Sequence, residues 1–408
     1  MSSLIAVLRK DDEDASQDAF SMLRMIAYGT YDSFGVANWR DQVASRNLSI
    51  IEDELPSSNI VLAHKFIKFL PGDAQQPVLD DGSAFIFEGR LHSTSGLSDV
   101  ESASKEFGEN PKKNASKLIR KYDGAFVFAT ATQDSLIVGR DSVGLRPLYY
   151  GENEVICAVA SERKAFIPLG IGDIKPFPPG HLAYIDEKGF KFESICTVYQ
   201  PEILSVSIDE ACEKLKRYLF ETFGNCTSDL RDVAVAFSGG LDSTVVAHVC
   251  SLLGRKIHLF TVGIEGAEDV ERSEKIAEEM GLPITVETYR VDDVTENLPE
   301  VLWATESTNP VDNAIAIPIL WTAESAKNNG YRTLLLGQGS DELFAGYHRY
   351  LKVYGDLGPE NLIKELFSDV KNAYIKNLDR DVKVCGHIGV ESRFPYMNYK
   401  LIEFALSL

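Results

Sequence analysis

The residues best suited to do chemistry lie in one glycine-rich turn. A short apolar strand, 232–237, enters this turn, and a helix begins directly after it. The turn itself holds Ser238, Gly239, Gly240, Asp242 and Ser243. Glycines let a backbone approach oxyanions closely, hydroxyls donate hydrogen bonds, and the N-terminal end of a helix is positive. Asp242 would repel a bare phosphate, so we interpret it as a ligand of Mg²⁺ bound beside phosphates. An ordinary glycine turn that starts a helix is the alternative.

This turn differs from the commonest nucleotide-binding loop. The chain contains no G-x-x-x-x-G-K-[ST] motif, and no lysine follows the glycines. Ser-Gly-Gly-x-Asp-Ser instead resembles the loop of the ATP pyrophosphatase superfamily. Members of that superfamily hold the β,γ-pyrophosphate and split ATP between its α- and β-phosphates, so the resemblance implies ATP as the ligand.

A second glycine turn follows the predicted strand 332–336 and also carries acidic residues. It runs through Gly337, Gln338, Gly339, Ser340, Asp341 and Glu342. Ligands of open α/β sheets bind at the carboxyl ends of the strands, so the two turns should face each other. Asp341 and Asp242 could then share one Mg²⁺ ion. Alternatively, Asp341 and Glu342 are simple acids at a helix N-terminus.

The sequence predicts two domains, 1–200 and 201–408, which differ in their pattern of secondary structure. Short alternating strands joined by turns such as Asp81-Gly82 and Asp123-Gly124 dominate the first. Helices alternate with single strands in the second, over helix 207–223, strand 232–237, helix 242–253, strand 256–262, helix 269–280, strand 284–289, helix 313–329 and strand 332–336. The predicted fold class is therefore α/β, with an α+β layered first domain and a doubly wound parallel sheet with added helices in the second.

Composition narrows the functional class. The 408 residues carry a net charge of −20 and no basic stripe, which argues against a nucleic-acid partner. No apolar run is long enough to span a bilayer, and the N-terminus lacks the order of a signal peptide, so we predict a cytoplasmic protein without a membrane partner. Six scattered cysteines without C-x-x-C spacing indicate neither a zinc site nor a disulfide framework.

The order and spacing of the motifs resemble the asparagine synthetase family. The segments that carry the resemblance are 237–243, 260–263, 337–347, Lys383 and 389–396 in the second half, and 123–126, 139–151 and 160–165 in the first. The resemblance implies a first domain like the glutamine amidotransferases, with the fold of N-terminal-nucleophile hydrolases. It implies a second domain that adenylates a carboxylate with Mg-ATP, releases pyrophosphate and forms an amide with ammonia or an amine.

The resemblance also implies roles for individual residues. The adenosine would lie against Phe237, Val262, Leu336 and Gly337. The pyrophosphate would lie in the first turn, at Ser238, Gly239, Gly240 and Ser243, with Asp242 and Asp341 as magnesium ligands. Lys383 would neutralise charge on the phosphates as the adenylate forms; the alternative is an ordinary surface lysine.

The first domain departs from the family at its reactive positions. Ser2 stands where glutamine-hydrolysing members have cysteine, and Glu88-Gly89-Arg90 replaces their Asn-Gly-Glu. A carboxylate at the first position of that motif would repel a developing oxyanion. We therefore predict a non-hydrolysing domain in which Ser2, Glu88 and Gly89 are vestigial. Ser2 as a replacement nucleophile is the alternative.

The acceptor pocket departs as well. Asp312 and Ala314 stand where asparagine-forming members hold aspartate with a threonine and an arginine, so a carboxylate clamp is lost and a substrate amine would suit Asp312 better. Gln338 replaces a glutamate and cannot accept a proton at neutral pH. Glu306, Glu342 or the released pyrophosphate are then the candidate bases.

These observations predict an ATP-dependent amide-forming ligase that uses ATP, Mg²⁺ and ammonia rather than glutamine. Asparagine synthesis is the activity that the resemblance favours. An amide ligase for a different small carboxylate and a non-catalytic nucleotide-binding paralogue, acting as a regulatory or scaffold subunit, are the alternatives. The sequence leaves open a homodimer or a separate glutaminase as partner. The family usually continues beyond the position of Leu408, so we expect either a compact version or an incomplete one.

Overall fold

The computed structural model describes residues 2–80, 82–92, 98–107 and 111–408. The chain divides into two compact units, Met1–Thr197 and Val198–Leu408. Asp81 of the predicted Asp81-Gly82 turn lies outside the described residues.

The first unit is built from two antiparallel sheets. Its elements in chain order are β1 (Ser3–Arg9), α1 (Ser16–Met25), β2 (Ser33–Ala37), β3 (Gln42–Ser45), α2 (Leu48–Asp53), β4 (Ile60–Phe66), β5 (Val78–Asp80), β6 (Ser83–Leu91), α3 (Asp99–Phe107), α4 (Pro111–Lys121), β7 (Gly124–Ala131), β8 (Leu136–Arg140), β9 (Tyr149–Glu152), β10 (Ile156–Ala160), a 3₁₀ helix (Arg163–Leu169), β11 (Lys175–Pro176), β12 (His181–Asp186) and β13 (Gly189–Ser194). The strand order is β11-β9-β10-β1-β4-β2-β3 in one sheet and β13-β12-β8-β7-β6-β5 in the other.

Alternation along the strands builds four layers. Successive side chains of a strand point to opposite faces, and in β1 the residues Ile5 and Val7 pack with α1 while Leu4, Ala6 and Leu8 pack towards the second sheet. The far face of the second sheet packs against α3 and α4. Helix, sheet, sheet and helix therefore follow one another, and the predicted α+β layered fold is confirmed.

The second unit contains a five-stranded parallel sheet. Its elements are α5 (Ile208–Cys226), β14 (Asp232–Ala236), α6 (Leu241–Leu252), β15 (Lys256–Ile264), α7 (Glu268–Met280), β16 (Ile284–Tyr289), α8 (Val291–Thr305), α9 (Pro310–Asn328), β17 (Thr333–Leu335), α10 (Ser340–Phe344), α11 (His348–Leu357), α12 (Pro359–Lys376), α13 (Leu378–Ile388), β18 (Glu391–Arg393) and α14 (Tyr399–Leu406). All four strand pairs are parallel. The predicted parallel α/β fold of this half is confirmed.

The strand order of this sheet locates its ligand-binding edge. The order is β16-β15-β14-β17-β18. From β14, the next two strands along the chain are added on one side of the sheet, and β17 and β18 are added on the other side. A crevice forms where the strand order reverses, at the carboxyl ends of the two central strands. Both glycine turns lie there, since one follows β14 and the other follows β17.

Candidate functional site

The two glycine turns meet through a direct hydrogen bond. β14 and β17 are neighbours, with Val235 opposite Leu335. Beyond the strand ends, the Ser340 hydroxyl donates to Asp242 Oδ1 at 2.8 Å. The Tyr396 hydroxyl donates to the carbonyl oxygen of Asp242 at 3.1 Å. Asp242 is thus fixed from both the second turn and the segment after β18.

Hydrogen bonds between a hydroxyl group and the backbone stabilise the first turn. The backbone N–H of Ser238 donates to Ser243 Oγ at 3.3 Å, and Ser243 Oγ donates to the Gly240 carbonyl at 3.2 Å. Gly239 adopts φ +65°, and a Cβ there would lie 3.1 Å from Ser273 Cα. Gly240 is the N-cap residue of α6, so no side chain caps the start of this helix. The first N–H groups of a helix lack intrahelical partners, so this turn offers donors to an anion.

The second turn also requires glycine. Gly339 adopts φ +98°, and a Cβ on it would lie 2.3 Å from Met397 Sδ. A Cβ on Gly337 would lie 3.3 Å from Asp242 Cβ. Side chains at either position would therefore push this turn away from its neighbours.

Two carboxylates come together where the turns meet. Burial raises the pKa of the Asp341 carboxyl, and the charges of Asp242 and Glu342 raise it further. Such like-charge repulsion is relieved by a bound cation. Mg²⁺ commonly takes one or two protein carboxylates and completes its shell with water and substrate phosphates, so this pair fits it. Within the described part of the chain, no group of three or more His, Cys, Asp or Glu residues could hold a metal.

Lys383 lies inside the protein. It is 3% exposed, on α13, which packs against β18. Its Nζ donates to Glu306 Oε2 at 2.7 Å and lies 3.0 Å from Asp379 Oδ2. Glu306 ends α8 with a φ of +58°. The surface-lysine alternative is wrong, because Lys383 is buried in an ion-pair network.

The residues predicted around adenosine lie at the strand ends. Phe237 and Leu336 are buried, and Val262 is half-buried. The Phe237 N–H donates to the Phe260 carbonyl at 2.8 Å, which ties the start of the first turn to β15. Whether adenosine binds there stays a prediction.

The predicted acceptor-pocket residues have local partners. Asp312 lies in the first turn of α9 and accepts a hydrogen bond from Ser307 Oγ at 2.8 Å. Ala314 is exposed. Glu342 is buried, and its Oε1 accepts from the Tyr347 hydroxyl at 2.7 Å and from Asn377 Nδ2 at 2.6 Å. Glu342 is thus held through one oxygen, while its Oε2 is buried without a hydrogen-bond partner among the described residues. Whether Glu342 acts as a base and Asp312 contacts a substrate stays a prediction.

Sequence reasoning assigned no role to three residues that act on this region. Ser340 and Tyr396 lie within the segments 337–347 and 389–396, but nothing in those patterns indicates a role for their side chains. Arg272 of α7 donates from Nη2 to the Ser238 carbonyl at 3.3 Å, which brings a cation to the first turn. Ser340 could have been found as the first residue of a helix next to a carboxylate. No motif marks Arg272, because the contact depends on how α7 packs.

In the first unit, the predicted vestigial residues are engaged by the fold. Ser2 Oγ accepts from the Ile67 N–H at 3.0 Å and donates to the Ile67 carbonyl at 3.4 Å. Glu88 is buried and accepts from Ser161 Oγ at 2.7 Å. Burial raises the pKa of Glu88 to about 7. Gly89 has φ +124°, and a Cβ there would lie 1.9 Å from the Ala125 carbonyl oxygen.

A buried ionic network in the same unit was not predicted. Glu162 accepts from Ser3 Oγ at 2.7 Å and from the Tyr28 hydroxyl at 2.6 Å. Its carboxylate lies 3.3 Å from Lys65 Nζ and 3.1 Å from Lys164 Nζ. Burial alone would raise the pKa of Glu162, but the two ammonium groups and the hydroxyl hold it well below its usual range.

Comparison with known families matches both units. A model described as Asparagine synthase matches residues 214–360, and one described as Glutamine amidotransferase domain matches residues 85–168. A Methanocaldococcus jannaschii protein assigned as glutamine-hydrolyzing asparagine synthetase 1 is 27% identical over 439 residues, covering 100% of this chain and 80% of its own length. Glutamine-hydrolyzing asparagine synthetase 2 of Lotus japonicus is 29% identical over 331 residues, covering 74% of this chain and 52% of its own. The chain thus spans about half the length of that plant relative.

Among solved structures, the glutamine phosphoribosylpyrophosphate amidotransferase of B. subtilis, complexed with ADP and GMP, aligns with 89% of this chain and 92% of its own at 14% identity and a TM-score of 0.42. Within the described residues, no helix combines the length and apolarity needed to cross a membrane.

Proposed function

The chain belongs to the asparagine synthetase family, and on this premise we propose that it is an ATP-dependent carbon–nitrogen ligase. It activates a small carboxylate as its adenylate, releases pyrophosphate, and forms an amide with ammonia. The observation that carries this proposal is the hydrogen bond between Ser340 and Asp242, which unites the two acidic glycine turns.

The first turn provides the phosphate contacts. Backbone N–H groups and the hydroxyls of Ser238 and Ser243 surround a helix N-terminus that attracts anions. Arg272 adds a positive charge from α7. These groups would bind the β- and γ-phosphates of ATP.

Asp242 and Asp341 would hold Mg²⁺, which neutralises phosphate charge when bound. The repulsion that raises the Asp341 pKa supports this assignment. Lys383 would stabilise the charge that develops as the carboxylate attacks the α-phosphorus. Its ion pair with Glu306 keeps a compact ammonium ready in a buried site.

Ammonia rather than glutamine is the proposed nitrogen source. The Ser2 hydroxyl is engaged by the backbone of Ile67 on both its donor and acceptor sides. Glu88 replaces the asparagine of the Asn-Gly-Glu motif of glutamine-hydrolysing members, and its carboxyl group accepts a hydrogen bond from Ser161. Once ionised, this carboxyl group can only oppose the negative charge of an oxyanion. Both observations weaken a glutamine-hydrolysing reading of the first unit.

The carboxylate substrate is proposed to differ from aspartate. An arginine clamp is missing at Ala314, and Asp312 adds a negative charge close to it in α9. A substrate that pairs an amine with its carboxylate would suit Asp312. A non-catalytic nucleotide-binding subunit is the second candidate, since phosphate-binding turns alone can serve binding.

Product analysis tests the proposal. With ATP, Mg²⁺, ammonium chloride and a panel of carboxylic and amino acids, one acid should produce AMP and pyrophosphate in equal amounts. ADP with phosphate would contradict the mechanism. ATP binding without turnover for every acid would favour the binding subunit. Replacing ammonium with glutamine should abolish turnover, and Ser2→Ala should change neither result.

A further inference from the structure

Three successive residues at the start of α10 have roles in different parts of the second unit. Ser340 contacts the first turn through its hydrogen bond to Asp242. Asp341 carries the second carboxylate of the proposed metal site. Glu342 is 2% exposed, and its Oε1 accepts a hydrogen bond from Asn377 Nδ2 at 2.6 Å. The helix α10 therefore connects the proposed metal site to the N-cap residue of α13.

Asn377 does not cap α13 in the way that an asparagine at this position usually does. It lies at the junction of two helices, since it also ends α12, where its N–H donates to the Ala373 carbonyl at 3.0 Å. An N-cap asparagine normally accepts a hydrogen bond from a backbone N–H of the first helical turn. Within the described residues, the Asn377 side chain makes no such bond, and its amide nitrogen donates to Glu342 instead. This side chain therefore connects α13 to α10 and does not cap its own helix.

The burial of the Glu342 carboxyl group is not explained by local stability. Its second donor is the Tyr347 hydroxyl, 2.7 Å from the same oxygen. Both donors are neutral groups, and Oε2 is buried with no hydrogen-bond partner among the described residues. Leaving a buried acceptor unpaired costs free energy, and the cost is larger for an ionised group. Stability alone would favour a neutral or fully paired side chain at this position.

Lys383 lies on α13, so the position of this helix determines where the ammonium group lies. Lys383 Nζ lies 3.0 Å from Asp379 Oδ2, one turn earlier in α13, and donates to Glu306 Oε2 at 2.7 Å. Lys383 follows Asn377 by six residues, which is less than two helical turns. A shift of the first turn of α13 would therefore move both Asp379 and Lys383 relative to the proposed metal site.

We infer that Glu342 is a positioning residue: through Asn377 it holds α13, and with it Lys383, in place beside the proposed metal site. This inference rests on the proposed function and adds a residue that couples the metal site to the lysine. In this role Glu342 touches neither ATP nor the carboxylate substrate. It takes no proton from the nitrogen nucleophile.

This role differs from that of a general base. Gln338, in the same turn, is half-buried and as an amide cannot serve as the base. Glu342→Gln distinguishes the two roles, because its carbonyl oxygen can still accept from Asn377 and Tyr347. We expect the rate of amide formation to stay within about fivefold of wild type, since both hydrogen bonds remain. A larger loss of amide formation, with intact pyrophosphate exchange, would identify Glu342 as the base and overturn the inference.

Replacement of Asn377 tests its contact with Glu342 directly. Asn377→Ala removes the donor without removing a helix cap. We expect the kcat of carboxylate-dependent pyrophosphate exchange to fall roughly 10- to 100-fold, because small displacements at a reacting centre have effects of this size. The Kd of Mg-ATP should stay within about twofold of wild type, since the first turn is unchanged. Asn372→Ala, which removes an α12 asparagine bound to the Ser368 carbonyl at 2.7 Å, is the matched control and should keep wild-type exchange.

The same substitution in the Lys383→Met background separates positioning from general damage. If Asn377 acts through Lys383, Asn377→Ala should lower exchange by less than about twofold once the lysine is absent, because the two effects are coupled. A merely structural defect would lower exchange by the same factor in both backgrounds, and that result overturns the inference. Unchanged exchange in the single Asn377→Ala variant also overturns it. Absence of exchange in wild type with every acid overturns the proposed function instead.

Hydrogen exchange provides a readout that needs no substrate. Amide protons in peptides from α13 should exchange roughly tenfold faster in Asn377→Ala than in wild type, because the contact that holds the first turn of α13 is lost. Peptides from β15 are the internal control. Equal α13 rates in the two proteins would overturn the inference even when no substrate is known.

Discussion

Lys383 Nζ donates to Glu306 Oε2 at 2.7 Å, so that a lysine proposed to act on phosphates is held by a carboxylate within the protein interior. Glu306 adopts φ +58°, a left-handed conformation that costs a non-glycine residue of the order of 1 kcal/mol or more. The fold maintains this conformation at the end of α8, where it directs the Glu306 side chain to Lys383. Buried ion pairs contribute little net stability, which favours a functional reason for the pair.

Replacement of Lys383 tests its role in catalysis. We expect Lys383→Met to lower the rate of carboxylate-dependent pyrophosphate exchange by about 10²- to 10³-fold, as removal of other transition-state charge stabilisers does. Lys400→Met, which breaks an exposed ion pair with Glu221, is the matched control and should stay near wild type. Retained exchange in Lys383→Met would remove this residue from the mechanism.

Removing the charge of Asp341 should not harm the stability of the protein but should weaken its binding of Mg²⁺. Asp341→Asn removes the repulsion with Asp242 and Glu342, so the free protein should melt at the same or a higher temperature. The Mg²⁺ concentration for half-maximal exchange should nevertheless rise at least tenfold, because one ligand loses its charge. Asp356→Asn, at an exposed position of α11, is the control. A normal Mg²⁺ requirement in Asp341→Asn would contradict the shared site.

Gly339 should be harder to replace than a glycine of similar backbone conformation elsewhere. Gly339→Ala combines a positive φ with a Cβ only 2.3 Å from Met397 Sδ, whereas Gly254→Ala at φ +78° meets nothing within 4 Å. We expect Gly254→Ala to cost about 1 kcal/mol and Gly339→Ala clearly more, with loss of ATP binding. Urea unfolding and nucleotide titration measure the two effects. If both substitutions lowered the free energy of unfolding equally, the second turn would accommodate the extra Cβ without strain.

Ionisation of Glu88 should make the first unit less stable as pH rises. Its folded pKa of about 7 lies above the ordinary value of 4.5, so the unfolded chain loses this proton first. Stability should be highest below about pH 4.5 with respect to this group and fall until about pH 7, by up to roughly 3 kcal/mol. Glu88→Gln should remove this fall.

Hydrogen exchange at several urea concentrations can follow this effect by peptide. Peptides from β6, which carries Glu88, report on the first unit, and those from β14 on the second serve as an internal control. A pH dependence that is unchanged in Glu88→Gln would show that another group controls the first unit.

Local patterns were sufficient to predict the sheet of the second unit. The strand before Ser238 and the strand before Gly337 are short apolar runs that each lead into a glycine-rich turn, and both are present as β14 and β17. Their parallel pairing follows from the helices between them, which is why the meeting of the two turns could be expected.

Contacts made through tertiary packing could not be predicted. Helix α8, which places Glu306, and helix α12, which leads to α13, have no motif, and the burial of Lys383 depends on both. The ionic network of Glu162, Lys65 and Lys164 joins β4 to the start of the 3₁₀ helix of the first unit in the same way.

Exchange of radioactive pyrophosphate into ATP tests the central claim most directly. Purified protein is incubated with Mg-ATP, labelled pyrophosphate and one carboxylic or amino acid at a time, with Asp242→Asn as the matched inactive variant. We expect label in ATP only when the correct carboxylate is present, and at least a hundredfold less label with Asp242→Asn. Absence of exchange with every acid, while ATP still binds, would contradict it.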